Sequence, residues 1–343
     1  DFIELKSKLI MSLPLIAFVL SFLGVYLLKK STLRLKIVAI PNERSLHNKM
    51  TPIGGGVIIA IVFLAFLLAF YITKQIIVVE FLIFFSGGLI MAVTGFLDDI
   101  LELKASIRFI IQFLAAGWGL YWIGGIPSIT FFERLPVLVP IANTIAVVAL
   151  VWFINSFNFI DGIDGLATSS AIFFSLSTGG YFLWQGIEPY GSLLMVLAAC
   201  SLAFLCFNWP PAKMFLGDAG SNFFGYLFGA MILITVKNGN LSIWTWLIIL
   251  AYLITDTTTT TFLRLCLVKG WYQTHRSHAY QNLARVLDNH KFVTCLIMSI
   301  NVFYLLPLAY FSIQYQQYAW LAFAASIIPI LGFVLKYGPL YAR

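Results

Sequence analysis

Apolar stretches about as long as a membrane-crossing helix recur along the whole of this 343-residue chain, and that recurrence leaves few folds open to it. A helix rises about 1.5 Å per residue, so about 20 mostly apolar residues cross the hydrocarbon layer. Lipid offers no water to backbone N–H and C=O groups, so a crossing segment must satisfy its own, as a helix does. Composition agrees. Hydrophobic residues make up 61% of the chain and charged residues 10%, whereas a soluble domain carries about 25% charged residues.

Eleven candidate helices are predicted near residues 9–28, 53–73, 78–97, 107–123, 137–154, 165–185, 190–207, 222–236, 242–262, 292–313 and 317–336. Several are short or interrupted by glycine, which makes ten the alternative count. The expected fold is all-α, a polytopic integral membrane protein in which residues 1–343 form one transmembrane domain. The first apolar segment follows Lys6 and Lys8 without a small-residue cleavage site, so it reads as a retained helix, not a signal peptide. Cys200, Cys206, Cys266 and Cys295 lie in or beside apolar segments with no metal-ligand spacing and read as membrane-packed thiols.

Basic residues orient the set. With the N-terminus outside, sixteen Lys and Arg fall in the inside segments and five (Lys6, Lys8, Lys74, Arg134 and Lys237) fall outside, the asymmetry of a chain with a positive cytoplasmic side. The net charge of +7 is therefore mostly topology and anion binding, and no nucleic-acid partner is expected. The outside segments are short and chemically plain. The inside segments are dense in Asp, Asn, His, Gly and Arg, the layout of an active site that opens to the cytosol and the inner leaflet.

Five polar constellations stand on that side, and a sixth lies about two turns inside the ninth span. The run from Pro41 to Gly56 ends in Gly54-Gly55-Gly56 after a proline. Three glycines could admit a ligand to a helix mouth, but a basic flanking loop leading into a glycine packing face is favoured on this segment alone. Asp98 and Asp99 close the third apolar stretch as Gly95-Phe96-Leu97-Asp98-Asp99. Paired carboxylates beside a bilayer need a cation, a proton or a basic partner, although a solvated helix end is an alternative.

Asn155, Asn158, Asp161 and Asp164 follow one another at spacings of three, with Gly162 and Gly165 between them. Such spacing drifts round a helix, so a helix end turning into a loop is expected, with all four side chains lining one pocket. Asp218 occupies Phe215-Leu216-Gly217-Asp218-Ala219-Gly220-Ser221-Asn222, read as a glycine-flanked turn between spans that suits Mg²⁺ held together with phosphates. Asp256, before five threonines, is an intramembrane acid and so a functional candidate. Its alternative is a structural partner for Arg264 or a threonine. Thr274-His275-Arg276-Ser277-His278 lacks a completing zinc ligand and reads as a phosphate contact.

Taken in order, these segments resemble the polyprenyl-phosphate N-acetylaminosugar-1-phosphate transferases. That superfamily includes phospho-N-acetylmuramoyl-pentapeptide transferase and the enzymes initiating O-antigen, enterobacterial common antigen and teichoic-acid linkers. The resemblance runs from about Pro41 to Arg285 and is closest at Gly95–Asp99, Asn155–Leu166 and Phe215–Ser221.

It implies a bacterial inner-membrane enzyme that uses Mg²⁺ (or Mn²⁺) to move an N-acetylaminosugar 1-phosphate from a UDP-sugar to undecaprenyl phosphate. Asp218 would be the principal metal ligand, with Asn158 and Asp161 lining the metal and pyrophosphate site. Asp164 and the ring of Phe215 would hold uracil, Asn155 would belong to the substrate-binding set, and Lys49 would meet the nucleotide. Asp98 and Asp99 would stand where the lipid phosphate enters, faced by Arg108, with one of the two acids the candidate to deprotonate or position that phosphate. His275, Arg276 and His278 would contact the sugar diphosphate. A homodimer is a further expectation.

The His275-Arg276-Ser277-His278 pattern departs from the histidine runs of the muramoyl and enterobacterial-antigen enzymes and is more similar to the O-antigen-initiating subgroup. Muramoyl-pentapeptide and teichoic-linker enzymes are the alternatives within the family. Outside it, a transporter would place acids at mid-membrane and show an internal repeat, and no repeat is found. An intramembrane aspartyl protease needs two isolated Asp on facing helices. A phosphatidyl-alcohol transferase needs an acidic pattern that does not follow Asp161-Gly162.

Overall fold

The computed structural model describes residues 2–35, 38–39, 50–126, 139–268 and 275–340. Lys49 and most of the first basic loop therefore lie outside the described residues, as do Arg134 and Thr274. Helices dominate. They are α1 (Phe2–Leu35), α2 (Gly55–Ile72), α3 (Val78–Leu101), α4 (Ala105–Ile123), α5 (Val139–Ile160), α6 (Leu166–Trp184), α7 (Glu188–Asn208) and α8 (Gly217–Lys237). After them come α9 (Ile243–Ile249), α10 (Ala251–Leu267), α11 (Ala279–Leu287), α12 (His290–Gln314) and α13 (Ala319–Tyr337). The described β structure is one antiparallel pairing of Val38–Ala39 with Thr51–Pro52.

Among the described residues, nine helices are long and apolar enough to cross a membrane, and α9 with α10 makes a tenth that bends by 77°. Every predicted segment is a helix, but Leu166–Trp184 is not among those nine. Its sequence carries four serines, two threonines and two glycines in nineteen residues. Geometry nevertheless requires it to cross. Asn158, at the end of α5, donates to Asp218, at the start of α8, over 2.7 Å, so both helix ends lie at one face. Two helices, α6 and α7, intervene, and α7 is a clear span. A single crossing between the two ends would place them on opposite faces.

The α6 helix tolerates its polarity because it is enclosed. Leu166 to Ala171, Phe173 to Ser175, Thr178, Gly179 and Phe182 are buried, and two hydroxyls turn back to the helix, Ser177 Oγ to Phe173 O at 2.7 Å and Thr178 Oγ1 to Phe174 O at 2.6 Å. The bundle is centred on α8 and α7, whereas α1 is peripheral: 83% of the apolar window of α8 is buried and 17% of that of α1.

Lipid tails are as apolar as leucine, so helices here are held by close packing and internal hydrogen bonds. Phe157 of α5 stacks on Phe228 of α8 at 5.7 Å between centroids and meets Phe174 of α6 edge-on at 5.9 Å. This aromatic knot sits directly under Asn158. The glycine run settles as packing. Gly55 N and Gly56 N donate to Phe215 O and Leu216 O at 3.0 and 2.9 Å, and a Cβ on Gly56 would run into the Gly220 backbone. Small residues let the start of α2 lie against the start of α8.

Candidate active site

The polar ends of α3, α4, α5 and α8 converge at one face. Asp98, near the end of α3, is 8% exposed. It accepts from Leu103 N at 2.8 Å and from Arg108 Nη1 at 2.6 Å. Arg108, one turn into α4, also stands 3.6 Å from Asp218 Oδ2. One guanidinium therefore bridges two carboxylates, which offsets a repulsion that burial would otherwise magnify. Asp99 takes a different task. Its two oxygens accept from Asp218 N at 2.9 Å and Ala219 N at 3.3 Å, so it caps α8 and fixes where Asp218 stands.

Asp218 lies in the first turn of α8, not in an inter-span turn as its glycine flanks suggested; α8 begins five residues earlier than the predicted 222–236 segment. The first helical turn favours an acid because its free N–H groups carry partial positive charge. Asn158 donates to Asp218 Oδ1 and, at 3.1 Å, to Ser221 Oγ. Asp161 follows the end of α5. Protein atoms around it, then the negative charge of Asp218, Asp99 and Asp164, push its carboxyl well above the ordinary range, although an edge of the residue remains accessible.

The four residues spaced by three do not share one pocket. Asn158 and Asp161 turn towards Asp218. Asn155, one turn earlier, donates to Gln112 Oε1 and Val151 O, both at 2.8 Å. Asp164 accepts from Ala212 N at 3.0 Å and lies 3.5 Å from His290 Nδ1. The helix ends at Ile160 and the turn beyond it rotates Asp164 away. Asp164 thereby ties the α5–α6 turn to the segment leading into Phe215, which is itself held by Phe215 N donating to Pro52 O at 2.8 Å.

A third group forms around Asp256. His278 and Ala279 are brought to its carboxylate, and the His275 ring lies 5.1 Å from that of His278. Burial, then the nearby His278 and Arg264, lower the His275 imidazole to about 3, and Ser277 Oγ lies 3.0 Å from its Nδ1. Arg276 contributes its carbonyl to Arg285 Nη2 at 3.0 Å. The histidine segment meets the carboxylate centre through Phe159, whose ring is 5.7 Å from His278.

Among the described residues no three His, Cys, Asp or Glu close round an ion by themselves. That donor set nevertheless suits Mg²⁺, which binds through one or two carboxylates and completes its shell with water and phosphate oxygens. Asp218, Asp161 and the Asn158 amide would supply those oxygens, and a cation there would relieve the mutual repulsion at Asp161. Sequence reasoning assigned no role to Ser221, Gln112, Asn208 or His290. Asn208 accepts from Gly165 N and Thr168 Oγ1 at 3.1 and 2.9 Å and donates to Met214 O. A lone Asn or His at a helix end carries no spacing signal, and each of these matters through a partner distant in sequence.

Comparison with known proteins places the same stretch in one family. The glycosyl transferase family 4 pattern matches residues 81–236, which hold the first two groups except Pro52 and His290. A protein of Bacillus subtilis (strain 168) named probable undecaprenyl-phosphate N-acetylglucosaminyl 1-phosphate transferase is 31% identical over 301 residues, covering 85% of this chain and 81% of its own. Decaprenyl-phosphate N-acetylglucosaminephosphotransferase of Mycolicibacterium smegmatis is 34% identical over 230 residues, 58% of this chain and 53% of that protein. Phospho-N-acetylmuramoyl-pentapeptide-transferase of Prochlorococcus marinus (strain MIT 9312) is 30% identical over 245 residues, 66% of this chain and 67% of its own.

Proposed function

The chain belongs to glycosyl transferase family 4, as a multi-pass membrane phosphotransferase of the polyprenyl-phosphate N-acetylaminosugar type, and from that premise we propose its reaction. It transfers an N-acetylaminosugar 1-phosphate from a UDP-sugar to undecaprenyl phosphate, with Mg²⁺, at the cytoplasmic face of a bacterial inner membrane. The observation that carries this reading is the packing of Asp98, Arg108, Asn158, Asp161 and Asp218 at one end of the bundle, where a lipid headgroup and a soluble nucleotide can both arrive.

An oxygen of the lipid phosphate attacks the β-phosphorus of the donor. The bond from that phosphorus to the bridging oxygen breaks, and UMP departs with the electron pair. A phosphate monoester has a second pKa of about 6, so the nucleophile is already largely ionised and no strong base is required. Mg²⁺ bound by Asp218, Asn158 and Asp161 would neutralise phosphate charge as the groups are brought into line. Arg108 offers the guanidinium that draws the lipid phosphate towards Asp98. Asp99 acts through the backbone by fixing the first turn of α8. Asp164 and His290 brace the segment carrying Phe215, whose ring would lie against uracil. The His275-Arg276-Ser277-His278 sequence supports a donor of the acetamido-sugar type used to initiate O-antigen, a lipopolysaccharide component.

The test is UMP release by purified protein with undecaprenyl phosphate, Mg²⁺ and a panel of UDP-acetamido sugars. Release with one donor, lost in Asp218→Ala and on chelation, is the expected result. Absence of release with every donor, from protein shown to be folded, would overturn the reading.

A further inference from the structure

Asp256 is 1% exposed in a membrane helix, a costly place for a carboxylate, and the proposed reaction does not use it. Its surroundings explain why it is there. Thr260 Oγ1 donates to Oδ1 at 3.1 Å and Tyr252 OH to Oδ2 at 3.4 Å, both along α10. The other partners come from outside the helix. Ala279 N, the first residue of α11, donates to Oδ1 at 3.1 Å, and His278 Nδ1 lies 3.6 Å from the same oxygen. Asp256, Thr260 and Arg264 recur at intervals of four and so share a face of α10. Arg264 Nη1 completes that face by donating to Ser277 Oγ at 3.3 Å.

The segment held in this way is itself fastened to the carboxylate centre. Tyr280 OH donates to Phe159 O at 2.5 Å. A Cβ on Gly162 would strike the Tyr280 hydroxyl and the Gln281 side chain, so the turn that follows Asn158 lies flush on residues 280–281. His278 is 2% exposed, and its ring lies between those of His275 and Tyr280, 5.1 and 5.9 Å away. A chain of contacts therefore runs from Asp256 through His278 and Tyr280 to Asn158 and Asp161.

We propose that Asp256 is a positioning residue for the donor: its carboxylate anchors the start of α11 and thereby holds the His275–His278 segment in register over the Asn158–Gly162 turn. This rests on the transferase reading, in which that segment meets the sugar diphosphate and that turn meets the pyrophosphate. It accounts for a buried acid that the proposed reaction does not use, and it assigns Tyr280 the second fastening.

Two readouts test it, in native protein and in Asp256→Asn, Asp256→Ala and Tyr280→Phe. The first is KM for the UDP-sugar against KM for undecaprenyl phosphate, with kcat. The second is modification of His275 and His278 by diethyl pyrocarbonate, located by mass spectrometry, which needs no turnover. Removing a charged acceptor is worth enough to predict a donor KM raised about ten-fold in Asp256→Ala while the lipid KM stays within about two-fold. His278, protected in the native protein, becomes modified in that variant. Asp256→Asn keeps an oxygen for Ala279 N and gives a smaller change with His278 still protected. Tyr280→Phe shares the donor-specific rise.

Equal changes in both KM values, or a lowered melting temperature with donor KM and His278 protection unchanged, would overturn the proposal. Should Asp256→Ala not fold, the near-isosteric Asp256→Asn and Tyr280→Phe decide by the same split. Native protein that released no UMP would overturn the donor role with the transferase reading. The His278 modification pattern would still show whether Asp256 anchors the segment.

Discussion

Individual side chains divide here between those that would meet phosphate and those that hold them. Arg108 is the sharpest case, because one guanidinium lies 2.6 Å from Asp98 and 3.6 Å from Asp218. Arg108→Gln leaves two acids facing each other and removes a planar donor, so kcat/KM should fall about 100-fold, as for other charge-stabilising groups. Arg108→Lys should recover little of it, because an ammonium does not reproduce the fork geometry. Steady-state UMP release checks both.

His275 carries a pH prediction. Its imidazole titrates at about 3 in the fold against 6.5 ordinarily, so between those values the unfolded chain binds the extra proton. The stability it contributes is full above pH 6.5 and is lost as pH falls towards 3. His275→Gln should therefore narrow the gap between melting temperatures at pH 7.5 and pH 5. An unchanged gap would show that this imidazole is not held neutral. Apart from Asp256, conspicuous as an acid inside an apolar span, the acids and the histidine pair stood out in the sequence because each lies in a charged or glycine-broken context beside a span. Their division of labour did not. Asp99 as a helix cap, Asn155 on Gln112 and Asp164 on Ala212 depend on partners up to 120 residues away, and no local pattern encodes such a partner.

Helices place these residues by packing, and the strongest lever is the aromatic knot beneath Asn158. Phe157→Ala removes a ring that contacts α6 and α8, and emptying such a site costs about 3–5 kcal/mol. Melting in detergent should show that loss, and UMP release should fall with it because Asn158 is the next residue. Span positions were readable within a few residues, since a run of apolar side chains is a property of the segment alone. Several boundaries were not: α1 runs from Phe2 to Leu35 against the predicted 9–28, and α5 continues to Ile160, six residues past the predicted end. The start of α8 lies at Gly217 because Asp99 caps it from α3. The ninth predicted span is broken near Leu250 into α9 and α10 at 77°, a bend that no proline or glycine announces.

At the scale of the whole molecule, the contact between Asn158 and Asp218 demands an even number of crossings between α5 and α8. In a background lacking its four cysteines, Glu102→Cys beside the site and Gly186→Cys in the α6–α7 turn should react with a membrane-impermeant thiol reagent from opposite sides. Labelling from one side would remove α6 from the set of spans and with it the parity argument. The low apolarity of α6 also bears on how the chain is made. Serine, threonine and glycine weaken the tendency of a segment to leave the translocation channel for lipid by itself. The short link to α7 allows the two to enter as a hairpin, with the more apolar α7 drawing its neighbour in. During synthesis α6 would then wait in a protected, half-inserted state until α7 emerges, and polar substitutions in α7 would leave two helices, not one, outside the bilayer.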